Sequence, residues 1–214
     1  VLNAWLEPLP LVAILRGIRP DEAVAVGRAL AGAGFRIVEV PLNSPQPLDS
    51  IRALAAALGD ACLVGAGTVT GPAQAQDVAA AGGRLAVMPH ADPAVIRAAK
   101  AAGLLCTPGV ATPTEAFAAL AAGADGLKLF PAGQVGPEGL KAWRAVLPRE
   151  MPVLPVGGIE PGNMAPWVAA GAQGFGIGTS LYAPGLDAAE VARRAHAFAQ
   201  AWRGLSIKSQ EHRA

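Results

Sequence analysis

Charge is scarce in this chain. Of 214 residues only 15% are Asp, Glu, Lys or Arg, and 17 basic against 16 acidic residues leave a net charge of +1. So even a balance supplies no positive field to hold nucleic acid or anionic lipid, and neither is expected as a partner. Long apolar runs are missing too. None approaches the ~20 residues that span a bilayer. Residues 1–10 have neither the basic start nor the apolar stretch of a secretory signal, so a soluble, unexported protein is expected. Cysteine is nearly absent: Cys62 and Cys106 each lie in an apolar stretch with no partner at metal-ligand spacing. They read as small buried hydrophobes in a reducing cytoplasm rather than as a disulfide or a zinc site. Lysine occurs only at Lys100, Lys128, Lys141 and Lys208.

What is abundant is apolar surface, 52% of residues, which excludes disorder for the bulk of the chain and suits one domain of this length. A short β-branched or apolar run, a turn, and an Ala/Leu-rich stretch of helical period recur eight times. The runs are Leu11–Leu15, Arg36–Val40, Cys62–Gly65, Leu85–Met88, Leu104–Thr107, Gly126–Phe130, Pro152–Val156 and Gly174–Ile177. Helices are predicted at Asp21–Ala33, Pro45–Leu58, Pro72–Ala81, Pro93–Ala102, Thr112–Ala122, Gly136–Val146, Asn163–Ala170 and Asp187–Trp202. Many end on a glycine just before the next strand, the left-handed position that closes a helix. Apolar strands alternating with helices indicate a parallel sheet covered by helices, and eight units favour a closed (β/α)8 TIM barrel. The open doubly wound alternative wants a glycine-rich turn after strand one, where Arg16-Gly17-Ile18-Arg19-Pro20 stands instead. The barrel is expected over residues 1–203 with a short N-terminal lead-in, followed by a polar, aperiodic tail at 204–214 expected to be frayed or disordered.

In such a barrel chemistry belongs at the C-terminal ends of the strands. Only two charges interrupt the apolar runs from within: Lys128 in Gly126–Phe130 and Glu39 in Arg36–Val40. An ammonium there is desolvated unless paired or used. The pair could simply be a buried ion pair joining two strands, although such pairs stabilise poorly. Alternatively, a lysine whose charged form is disfavoured has free amine to attack a ketone and form a Schiff base, with the carboxylate moving protons. Two glycine-bearing strand ends follow, Gly157-Gly158 after strand seven and Gly178-Thr179-Ser180 after strand eight, at the place where many barrels hold phosphate on backbone N–H groups. Arg16 ends strand one with a fork suited to a carboxylate, or to a surface salt bridge. Thr68 and Pro89 sit at equivalent strand ends. His90 reads as a solvated loop residue, since one histidine makes no metal site.

Read together, AILRG at Ala13–Gly17, VEVPLNSP at Val38–Pro45, GAGTV at Gly65–Val69, PTEAF at Pro113–Phe117, KLFPA at Lys128–Ala132 and VGGI at Val156–Ile159 resemble the bacterial class I aldolases that cleave 2-dehydro-3-deoxy-6-phospho sugar acids to pyruvate and glyceraldehyde 3-phosphate. The resemblance spans about residues 9–202. It implies a homotrimeric barrel without metal or other cofactor, Lys128 as the Schiff-base residue and Glu39 as the proton shuttle. It also implies substrate contacts from Arg16, Thr68, Pro89, Phe130, Val156 and the two glycine loops. Within the family, Leu42-Asn43-Ser44 and Val156 resemble the galactonate-type branch; the gluconate-type branch carries an arginine and a threonine at those places. Met88-Pro89-His90 departs from the family's usual residues. A metal-dependent phosphosugar isomerase or epimerase on the same barrel, and a barrel that binds phosphosugars without turnover, are the alternatives from other classes.

Overall fold

A computed structural model describes residues 1–211, with side chains described through residue 205. The elements in chain order are β1 (Leu11–Ile14), α1 (Pro20–Gly32), β2 (Ile37–Pro41), α2 (Pro47–Leu58), β3 (Leu63–Gly67), α3 (Pro72–Ala80), β4 (Leu85–Val87), α4 (Pro93–Ala101), β5 (Leu105–Thr107), β6 (Gly109–Val110), α5 (Pro113–Ala121), β7 (Leu127–Leu129), α6 (Ala132–Arg144), β8 (Val153–Pro155), α7 (Met164–Ala169), β9 (Phe175–Ile177) and α8 (Ala188–Glu211). The first five helices each open on proline, which is preset for the first helical position and gives up an N–H that has no partner there. Among the described residues no helix is long and apolar enough to cross a membrane.

All strand pairs are parallel, in a six-stranded sheet of order β5-β4-β3-β2-β1-β9 and a three-stranded sheet of order β6-β7-β8. The chain itself joins the sheets at Pro108, and the bridge Val156↔Gly176 joins them on the other side. The result is a curled parallel sheet with helices outside.

Three expectations are revised. The fifth apolar run, Leu104–Thr107, forms β5 and pairs with β4, but an unpredicted short strand follows it: Pro108 has no N–H for the ladder, and beyond it Gly109–Val110 pairs with β7 instead. Helix α6 starts at Ala132, ahead of the predicted Gly136, and is broken there by a non-helical Gly136 (φ 70°, ψ 166°) before Pro137 starts its second piece. The last helix does not stop at Trp202 but continues to Glu211, into the stretch expected as a tail; residues 212–214 of that tail lie outside the described residues.

The core has two parts. One lies between sheet and helices. The other fills the inside of the curl with Val12, Ile37, Leu63, Leu85 and Leu154, against which the N-terminal residues Leu2 and Leu6 are packed. Trp5 lies beneath them with the Arg36 and Arg84 guanidinium carbons 4.9 and 5.1 Å from its ring centre. The N-terminal lead-in thus plugs one end of the curl and leaves the ends of the strands at Glu39 and Lys128 for another use.

Candidate active site

β2 places Glu39 level with Ile14 of β1 and Gly65 of β3, and β7 places Lys128 level with Leu154 of β8 and Gly109 of β6. Both side chains point inward: Glu39 is 1% and Lys128 6% exposed, and both border a small internal chamber of about 20 Å³ with Val12, Ile14, Val87, Thr107, Leu154, Val156 and Gly176. The ion pairs of the described residues all lie elsewhere, and Glu39 Oε2 has no hydrogen-bond partner. A buried ion pair, the structural reading left open by the sequence, is therefore not formed.

Burial sets the ionisation of both groups. It pushes the Glu39 carboxyl above its usual range, opposed by the positive charges of Lys128 and Arg16. Burial likewise pushes the Lys128 ammonium below its usual range, with Glu39 opposing and Arg16 reinforcing the shift. The Lys128 Nζ lies 4.7 Å from the centre of the Phe130 ring. Displaced ionisation in a cavity, with no salt-bridge partner, suits proton transfer or nucleophilic attack chemically.

Above the chamber opens a cavity of about 550 Å³ lined by Ile14, Arg16, Lys128, Phe130, Val156, the Gly157–Glu160 turn and Gly178–Ser180. This is within the usual size range for small-molecule sites. Gly157 and Gly158 both have positive φ, 107° and 68°, a conformation open to glycine. The turn is fixed by Asn163, whose Nδ2 donates to the Gly158 carbonyl at 2.8 Å while its Oδ1 accepts from Glu160 N at 2.9 Å. The Ser180 hydroxyl donates to the Ile159 carbonyl at 2.7 Å, so its proton ties the two glycine loops together and is not free for a ligand. Among the described residues no group of three or more His, Cys, Asp or Glu is arranged to hold a metal ion.

Of the residues singled out in the sequence, Arg16, Lys128, Phe130, Val156, Gly157, Gly158, Gly178, Thr179 and Ser180 line this cavity, and Glu39 lies in the chamber beneath it. Thr68 and Pro89 do not line it. Thr68 follows β3 with φ 57°, a left-handed conformation costly for a β-branched residue, and is half-buried. Pro89 is half-buried and His90 exposed. Cys62 and Cys106 are buried free thiols; burial first, and Asp125 second, push Cys106 up to about 12.

Two participants were not predicted. Gly67, at the end of β3, faces Glu39 so closely that a Cβ there would lie 2.5 Å from Oε2, so its missing side chain makes the room the carboxyl occupies. In the sequence it stood out only as part of the GAGTV motif. Thr107, a buried polar residue on β5, borders the chamber; a polar residue ending an apolar run was the available signal.

Comparison with known proteins identifies the family. The family model for KDPG and KHG aldolase matches residues 2–195. The chain is 50% identical over 193 residues to a probable 2-dehydro-3-deoxy-6-phosphogalactonate aldolase of Rhizobium meliloti (strain 1021), covering 90% of this chain and 91% of that one. It is 49% identical over 199 residues to the 2-dehydro-3-deoxy-6-phosphogalactonate aldolase of Escherichia coli (strain K12), covering 93% and 97%. A solved structure described as native KDPGal superposes with a TM-score of 0.92 at 48% identity, over 95% of this chain and 98% of that one. A match across nearly the whole chain, with inward lysine and carboxylate under a glycine-lined cavity, leaves one assignment: the chain belongs to the KDPG and KHG aldolase family of class I aldolases.

Proposed function

We propose that this chain cleaves 2-dehydro-3-deoxy-6-phosphogalactonate to pyruvate and D-glyceraldehyde 3-phosphate through a Schiff base on Lys128, as a closed eight-stranded barrel in a cytoplasmic homotrimer. The observation that carries this reading is the pair of buried, unpaired groups, Lys128 and Glu39, beneath one cavity. The Lys128 amine attacks the C2 ketone to give a carbinolamine, which loses water to become an iminium. The iminium accepts the electron pair of the breaking C3–C4 bond, while Glu39, directly or through water, takes the C4 hydroxyl proton. Glyceraldehyde 3-phosphate leaves. The enamine is then protonated at C3 with the help of Glu39, and water hydrolyses the imine to free pyruvate and the amine.

Arg16 holds the C1 carboxylate in this reading, joined by Thr68 from the β3 end just outside the cavity lining, and the N–H groups of Gly157, Gly158 and the Gly178–Ser180 turn hold the phosphate. Phe130 covers the Lys128 amine, and Pro89 shapes the strand end beside Thr68. Val156 puts a hydrocarbon where a hydroxyl would otherwise reach the C4 oxygen, which supports the galactonate configuration at C4. The test is release of pyruvate from the two C4-epimeric 2-dehydro-3-deoxy-6-phospho acids, followed at equal concentration. A higher kcat/KM for the galactonate-derived acid is expected; preference for the gluconate-derived epimer would overturn the substrate assignment.

A further inference from the structure

Arg16 lines the cavity between the regions assigned above to phosphate and carboxylate, because β1 is flanked by β9, whose end carries the Gly178–Ser180 turn, and by β2, beyond which β3 leads into Thr68. A guanidinium there could turn toward the phosphate or toward the carboxylate. Its direction is set by the loop after β2: Arg16 Nη1 donates to Asn43 Oδ1 at 2.8 Å. The next residue of that loop holds the arginine's backbone, since the buried Ser44 Oγ accepts from Gly17 N at 2.9 Å. From the other side, the Tyr182 hydroxyl donates to Glu22 Oε1 at 3.0 Å, and the same oxygen accepts from Arg19 N at 3.0 Å. The turn that carries Arg16 is thus tied to both neighbouring loops before any ligand arrives.

We propose that Asn43 is a positioning residue that aims Arg16 at the carboxylate of the keto acid and away from the phosphate. The proposal rests on the carboxylate role given to Arg16 above. The chemistry of the amide suits the task. A neutral oxygen fixes the guanidinium without neutralising it, and none of the ion pairs of the described residues includes Arg16, so its charge is kept for the ligand. One donor goes to Asn43, and the rest of the fork remains for a bidentate contact. Both side chains are exposed, so the bond orders a long, flexible side chain and contributes little to the fold.

The experiment is a double-mutant cycle of wild type, Asn43→Ala, Arg16→Ala and the double variant, assayed for condensation of pyruvate with glyceraldehyde 3-phosphate, with thermal unfolding as a check on folding. Asn43→Ala is expected to raise the KM for pyruvate about fivefold, with kcat within about twofold and the KM for glyceraldehyde 3-phosphate unchanged. In the Arg16→Ala background the same change should have no further effect, because Asn43 acts through Arg16. If Arg16→Ala raises the pyruvate KM but Asn43→Ala does not, or if the Asn43 effect persists without Arg16, the positioning role is wrong and the carboxylate role of Arg16 stands. If Arg16→Ala leaves the pyruvate KM unchanged or moves only that of the aldehyde phosphate, the carboxylate assignment itself fails, and the role of Asn43 fails with it.

Discussion

The two ends of the curled sheet are built from the same strands and obey opposite rules. On β2, Ile37 joins the apolar plug formed with Leu2, Leu6, Val12, Leu63 and Leu85, while Glu39, on the same face two residues further along, is a buried carboxyl oxygen without a partner. On β3, Leu63 fills space at the first end, and Gly67 empties it at the second, beside Glu39. Stability and chemistry are therefore divided along each strand. The plug gains from every apolar contact it makes. The opposite end bears the desolvation of an ammonium and a carboxyl that close ion pairing would relieve further, and in the proposed mechanism that state favours a nucleophilic amine and a proton-carrying carboxyl.

The contrast can be broken most severely at Lys128. Lys128→Met is expected to reduce turnover to background at saturating substrate in a steady-state assay, while a thermal melt shows a fold at least as stable as wild type, since a buried charge-bearing group has been replaced by an apolar one. Glu39→Gln should lower kcat by about 10²–10⁴-fold, the usual worth of a general acid–base group. Its stability effect has a definite sign. Because the folded state raises the Glu39 pKa, the stability this group lends is present below its unfolded value and is lost as pH rises through the folded value. The amide escapes that loss, so Tm measured across pH should exceed wild type near neutrality, by about 2–4 °C for each kcal/mol relieved, and converge with it in acid.

A smaller effect probes the boundary between the two ends. Gly67→Ala would force a methyl against the Glu39 carboxyl and is expected to lower kcat about 10²-fold through misplacement, while Lys128 still forms its pyruvate adduct. The plug should answer in the reverse sense. Leu63→Ala, at a residue 1% exposed, is expected to destabilise the protein by about 2–5 kcal/mol in a denaturant titration, with kcat of the folded enzyme close to wild type. A large fall in kcat from Leu63→Ala without loss of stability would show that the two ends are not separable.

How much of this was legible depended on whether a residue's neighbours along the chain are also its neighbours in space. Strands and helices announced themselves through apolar runs punctuated by proline and glycine, and Lys128 and Glu39 stood out as charges inside such runs. The short strand beyond Pro108 was hidden because the apolar run ends at Thr107 and only two strand residues, Gly109 and Val110, follow the proline. The break at Gly136 was hidden because Pro137 could equally well have started a helix as interrupted one. Gly67 was not legible as a functional residue, and Asn43 stood out only as part of a branch-marking motif, without its link to Arg16. One matters through a clash with a side chain on the adjacent strand, the other through a hydrogen bond across 27 residues between two loops. The loss of the Ser180 proton to Ile159 is of the same kind, a contact between loops that no local pattern encodes.

The central claim is that Lys128 is an imine-forming amine, and reduction with borohydride in the presence of pyruvate, followed by mass spectrometry and peptide mapping, tests it most directly. The account predicts one reduced pyruvyl adduct per chain, located on Lys128 and absent from Lys128→Met. Active, folded protein that acquires no adduct, or an adduct mapped to Lys100, Lys141 or Lys208 alone, would contradict it.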